Sequence, residues 1–89
     1  MQSLALTSSD GVALHAAWEG PPGEAAVLVL PGYWRRAESP RIRLLAQDLA
    51  RRFPVMTLDF RGHGRSSGRF TFGRLEHLDV LAALELLER

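Results

Sequence analysis

Two short aliphatic runs, Ala25 to Leu30 and Val55 to Phe60, stand on either side of a segment whose apolar residues recur at helical spacing. That order leaves few ways to fold. A brief continuous apolar run, stopped by Pro31-Gly32 in one case and by a glycine-rich stretch in the other, is the habit of a strand covered on both faces, as in parallel sheets. Between the runs, Ser39-Pro40 is a helix-start signal, because serine caps free amides and proline is preset for the first turn. Ile42, Leu45, Ala46, Leu49 and Phe53 then share a face, leaving Arg41, Arg43, Gln47, Asp48, Arg51 and Arg52 for solvent, and Pro54 ends the helix. Strand, helix and strand in this order make a parallel βαβ unit with a right-handed crossover.

The flanks extend the pattern. Leu4 and Leu6 alternate with polar or small residues, Asp10-Gly11 interrupts, and Val12, Leu14, Ala16 and Trp18 alternate again, which is a β-hairpin. Gly20-Pro21-Pro22-Gly23 is a loop, since proline lacks the ladder donor. Leu75 to Arg89 is helical in propensity, with Leu75, Leu78, Leu81 and Ala82 along one side. It has no terminating signal, and an apolar helix stripe must cover a sheet, so the chain reads as the front part of something larger.

At 89 residues and 9.9 kDa the chain is one domain at most, and a complete monomer of that mass would expose roughly 5,200 Å². Cysteine and lysine are both absent, which excludes disulfides, thiolate metal sites, cysteine nucleophiles, Schiff-base chemistry and the lysine of a phosphate-binding P-loop. Arginines are scattered along a chain of net charge +1, so nucleic acid is not an expected partner. No aliphatic run approaches the roughly 20 residues of a membrane helix, and Met1 to Thr7 lacks the features of a signal peptide; the expected location is cytoplasmic. His15, His63 and His77 do not pair at ligand spacing, so they read as surface or loop histidines, with no metal and no cofactor expected.

The most informative stretch is Thr57-Leu58-Asp59-Phe60-Arg61-Gly62-His63-Gly64-Arg65-Ser66-Ser67-Gly68. Together with Leu30-Pro31-Gly32-Tyr33-Trp34, it resembles the α/β-hydrolase family of esterases, lipases and aminopeptidases. In that family a hairpin comes first, the next strand ends in a His-Gly or Pro-Gly turn, and a strand carrying Asp-x-Arg-Gly-x-Gly-x-Ser follows after a helix. Asp59, Arg61, Gly62, Gly64 and Ser66 fill that last pattern, and Pro31 stands where many members have histidine. The resemblance implies an N-terminal part of an α/β-hydrolase fold over residues 1–89: hairpin, βαβ unit, final helix and an incomplete sheet. It also implies that the backbone N–H of Tyr33 is an oxyanion donor. The plainer reading of Pro31-Gly32 is a strand stop.

Gly64-Arg65-Ser66-Ser67-Gly68 also fits G-x-S-x-G, yet a nucleophile elbow needs a strand directly before and a helix directly after the serine, and neither is expected here. Ser66 is therefore rejected as nucleophile. A dinucleotide fingerprint fails too, because the third glycine falls one position late, at Gly68. Asp59 is expected to form a structural ion pair with Arg61 or Arg65, and Trp18, Trp34, Phe60, Phe70 and Phe72 are read as packing residues, with Trp34 bordering a pocket.

By the family pattern, serine, acid and histidine all fall after residue 89. The expected function is therefore the N-terminal fragment of a serine-type hydrolase of small-molecule esters, amides or acyl compounds, inactive alone. Its expected partners are a complementing C-terminal chain or another copy, joined through an unpaired edge of the Ala25 to Leu30 strand. Two rivals stand beside it: a small interaction module using that open edge, and a standalone enzyme using Ser66 and His63.

Overall fold

The computed structural model describes residues 1–88; Arg89, the last residue of the helix expected over Leu75 to Arg89, lies outside them. The elements in chain order are β1 (Gln2–Thr7), β2 (Ala13–Glu19), β3 (Val27–Val29), α1 (Pro40–Leu49), β4 (Val55–Asp59) and α2 (Glu76–Leu87). Hairpin, strand-helix-strand unit and final helix follow the order read from the sequence. In the hairpin loop the Gly11 N–H donates to Ser8 O at 2.9 Å, and Gly11 takes the left-handed conformation (φ 88°) that closes such a turn.

β2 pairs antiparallel with both β1 and β4, while β3 pairs parallel with β4, giving the strand order β1-β2-β4-β3. The sheet is incomplete, since among the described residues β3 has a neighbour on one side only. The register sets His15 opposite Asp59 and both Ala17 and Val29 opposite Thr57, so each face collects alternate residues of four strands. On one face Val29 and Val55 pack with Ala46, Ile42 and Leu49 of α1. On the other, Ala16, Met56 and Leu58 pack with Ala83, Leu86 and Leu87 of α2. Burying a side chain such as Leu58 completely stabilises the fold by about 1.5–3 kcal/mol.

β4, flanked on both sides, is buried at every residue, as a doubly covered strand should be. β3 is not: only Val29 is buried, and Leu30 is 43% exposed because nothing pairs beyond it. Its regular part is also three residues rather than the Ala25 to Leu30 expected. The exposed surface, 5651 Å², exceeds the roughly 5,200 Å² of a complete monomer of this mass, in keeping with uncovered edge and helix faces.

Four helix expectations are corrected. α1 stops at Leu49 rather than Phe53, because proline disfavours helical backbone in the residue before it; the chain tightens through Arg51 N–H to Asp48 O and Arg52 N–H to Leu49 O. Ser39 occupies the cap position, but its Oγ accepts from the Arg36 N–H (3.1 Å) instead of capping the helix, and Arg43 is half-buried in a two-pronged ion pair with Glu19. That pair raises the Arg43 pKa and, despite partial burial, lowers that of Glu19.

α2 buries Glu76, Asp79 and Ala83, not Leu81, which is exposed. Leucine spacing alone pointed to the other side. Tethers at the start of the helix turn it: Glu76 accepts from the Thr71 N–H (2.8 Å), the Thr71 hydroxyl (2.6 Å) and the Gly73 N–H (2.8 Å), and Asp79 holds Arg61. These polar anchors outweigh the apolar stripe in setting the rotation.

Candidate active site

β3 and β4 run parallel, so the loops that leave their carboxyl ends, residues 30–39 and 60–75, meet at one end of the sheet. The first contains a tight turn closed by the Arg35 N–H donating to Gly32 O at 3.0 Å. Trp34 sits at φ 69° and Tyr33 does not share that sign, which is the pattern of a type II turn with Tyr33 and Trp34 at its centre. Because the turn uses the Arg35 amide, the Tyr33 N–H is free of it. A bulky residue in the left-handed region costs about 1–3 kcal/mol, a strain that must be held by its surroundings. Aromatic contacts supply part of that hold: the Trp34 ring lies 5.2 Å from Phe70 and 5.5 Å from His63, and Tyr33 lies 4.4 Å from Phe70.

Trp34 and Phe72 are therefore not packing residues of the core; they are 76% and 80% exposed. Their rings rim the loops rather than the sheet interior. A cleft of about 420 Å³ opens beside Trp34, between Arg35, Arg36, His63 and Gly64, so Trp34 does border a cavity.

The second loop is organised by Asp59. Its carboxylate accepts from the Ala37 N–H (2.7 Å) and the Arg65 N–H (3.2 Å), which ties both loops to the tip of β4. Gly64 passes so close that a Cβ there would lie 2.5 Å from this carboxylate, at a φ of 51°. Only glycine fits. Side chain to side chain, Asp59 meets His15 at 2.7 Å and neither of the arginines expected for it. The chain turns immediately after Asp59, carrying Arg61 to the α2 side, and the Arg65 guanidinium pairs with Glu38 in solvent.

Arg61, 2% exposed, instead donates to Asp79 through Nε (2.9 Å) and Nη2 (2.7 Å), and to Asp10 through Nη1 (2.7 Å) and Nη2 (3.0 Å). Its backbone N–H adds a bond to Asp79 at 2.8 Å. Hairpin loop, motif loop and α2 are thereby joined. These bonds raise the Arg61 pKa above its ordinary value and hold the Asp10 carboxyl well below the usual carboxylate range. For Glu76, burial alone would raise the carboxyl, but the bonds from the Thr71 hydroxyl and nearby amides win and bring it down to about 2.

Ser66 is fully occupied: its Oγ donates to Asp59 O (2.5 Å) and accepts from the His15 N–H (2.8 Å). No helix begins there, as α2 starts only at Glu76, so Ser66 locks the loop to β2 and has no elbow geometry. One of the three histidines departs from the surface or loop reading: His15 is buried on β2, whereas His63, though buried, lies in the loop and His77 is exposed. His63 Nδ1 lies 3.0 Å from Arg61 O and so donates to it; Nε2 has no partner among the described residues. The signal for His15 was its place on β2, which points it toward Asp59 once β2 and β4 are known to be neighbours. Among the described residues no group of three or more side chains is arranged to hold a metal ion, and no helix is long and apolar enough to cross a membrane.

The parallel pair, the turn after β3 and the glycine loop after β4 define the class: this is an α/β-hydrolase fold. Among solved structures, the chain is similar to the Pyrococcus furiosus esterase Pf2001, at 29% identity and a TM-score of 0.89, over 98% of this chain and 35% of that one. It is similar to an α/β hydrolase of Novosphingobium aromaticivorans at 30% identity and a TM-score of 0.79, over 98% of this chain and 32% of the other. A serine hydrolase homologue from Coxiella burnetii, 21% identical, shares the fold with a TM-score of 0.83 over 98% of this chain and 45% of its own. The chain thus spans about a third of the length of the first two. No protein-family model and no curated protein matches the sequence.

Proposed function

We propose that this chain is the amino-terminal portion of a serine-type α/β hydrolase acting on small-molecule esters, amides or acyl compounds, and that it contributes the oxyanion turn while the nucleophile, acid and base come from polypeptide following residue 89. The observation that carries this is the Gly32–Arg35 turn at the carboxyl end of β3, whose own hydrogen bond leaves the Tyr33 N–H unused. An amide fixed in that way can meet the charge that develops on a tetrahedral intermediate without reorganising. The free edge of β3 is where the strand bearing the nucleophile would pair, and in the isolated chain the same edge favours a complementing segment or a second copy. In the family reaction the chain is inactive alone.

The test is complementation. The chain is mixed or co-expressed with the part of the Pyrococcus esterase outside the matched segment, and hydrolysis of 4-nitrophenyl esters is followed. Activity above that of either part is expected. Tyr33→Pro, which suits the second position of a type II turn but removes the N–H, should reduce it by about 100- to 1000-fold. Failure to gain activity at any ratio of the parts, or full activity in Tyr33→Pro, refutes the reading. A second reading, an interaction module, is favoured by one feature, the unpaired β3 edge beside exposed Leu30.

A further inference from the structure

Away from the turn, three side chains on one face of the sheet have the connectivity of an acyl-transfer triad. The pairing of β1 with β2 and of β2 with β4 sets Ser3 opposite Ala17 and His15 opposite Asp59, so Ser3, His15 and Asp59 lie on three adjacent strands with the same orientation. Asp59 is 2% exposed and fixed by the Ala37 and Arg65 amides. Its Oδ2 lies 2.7 Å from His15 Nδ1. A carboxylate held by such donors accepts only, so Nδ1 carries a proton, and in the neutral ring, the form a base requires, the lone pair is on Nε2. That lone pair meets Ser3 Oγ at 3.3 Å, within the looser range of a serine-base contact in a protein without substrate, and Ser3 is open to solvent.

We propose that Ser3, His15 and Asp59 form an acyl-transfer site that this chain carries whole, taking small activated esters. Each residue has the role its neighbour imposes. Asp59 orients the ring and stabilises the imidazolium, His15 is the base, and Ser3 is the nucleophile. Ser3 Oγ attacks the acyl carbon as its proton passes to His15 Nε2; the bond to the leaving alkoxide or phenolate then breaks, and that group departs with the proton from His15. Water next attacks the acyl-Ser3 ester, giving a proton to Nε2, which returns it to Ser3 Oγ as the carboxylic acid leaves. β1 has a neighbour on one side only, so alternate N–H groups along it face away from the sheet and can donate to the developing oxyanion. An exposed serine on an outer strand holds a substrate by little beyond the reacting atoms, which selects short acyl groups with good leaving groups.

The experiment is labelling with a fluorophosphonate, with the modified residue located by peptide mass spectrometry. Wild type should be labelled at Ser3 and Ser3→Ala should not. His15→Gln should be labelled about 100-fold more slowly, the scale of a lost general base. Wild type unfolded in urea should be equally slow, because the sheet alone brings His15 to Ser3, and this arm needs no variant to fold. Labelling at Ser66 or elsewhere instead of Ser3, no labelling, or an unchanged rate in both His15→Gln and urea overturns the proposal. Complementation in a Ser3→Ala background keeps its outcome separate from that of the oxyanion turn.

Discussion

Replacing Asp79 by alanine should cost this chain a large share of its stability. Asp79 is fully buried and accepts three hydrogen bonds from Arg61, two from the guanidinium and one from the backbone N–H. Arg61 is 2% exposed, so without Asp79 its charge keeps only Asp10 as a partner and cannot reach water. Breaking a buried pair in this way costs about 3–5 kcal/mol. A domain of this length has about 4–13 kcal/mol in total, so the loss is between about a quarter and all of it. Urea unfolding followed by tryptophan fluorescence measures it. The control is Asp48→Ala, which breaks a 3.8 Å pair with Arg51 whose side chains are 76% and 81% exposed; stability should move by less than about 0.5 kcal/mol. If desolvation is the cause, the double variant Arg61→Met, Asp79→Leu should recover a large part of the loss, because it leaves no unpaired charge. An Asp79→Ala chain within about 1 kcal/mol of wild type would refute the reasoning.

Acid should unfold the chain earlier than its buried core alone would suggest. Glu76 is held near 2 in the folded state against an ordinary value of 4.5, so its contribution is present above about pH 4.5 and is lost as pH falls toward 2; across that window the unfolded chain binds more protons. Glu76→Gln should flatten the pH dependence of the urea midpoint there, and an unchanged slope would mean the bonds from Thr71 and Gly73 to Glu76 do not form. The open β3 edge predicts self-association: sedimentation of the isolated chain should show mass rising with concentration, whereas a single monomer that unfolds cooperatively at high concentration would mean that the edge is covered.

Much of the architecture was legible because local signals agreed. The proline after Phe53, the Asp10-Gly11 hairpin turn and the two aliphatic runs each report backbone geometry that neighbouring residues dictate, and the order of elements follows from them. The motif residues Asp59, Gly62, Gly64 and Ser66 were likewise recognisable, and Gly64 now has a physical reason in the carboxylate it must clear.

Partnership was not legible. Whether Asp59 meets Arg61, Arg65 or His15 depends on which strand lies beside β4, and linear spacing carries no information on a residue 44 positions away. The rotation of α2 was misread for a related reason: its leucines advertise one face, yet the bonds of Glu76 and Asp79 to other loops turn another toward the sheet. Backbone preferences act between adjacent residues and can be read along the chain, whereas the pairing of buried charges is settled by the long-range contacts that exclude water from them.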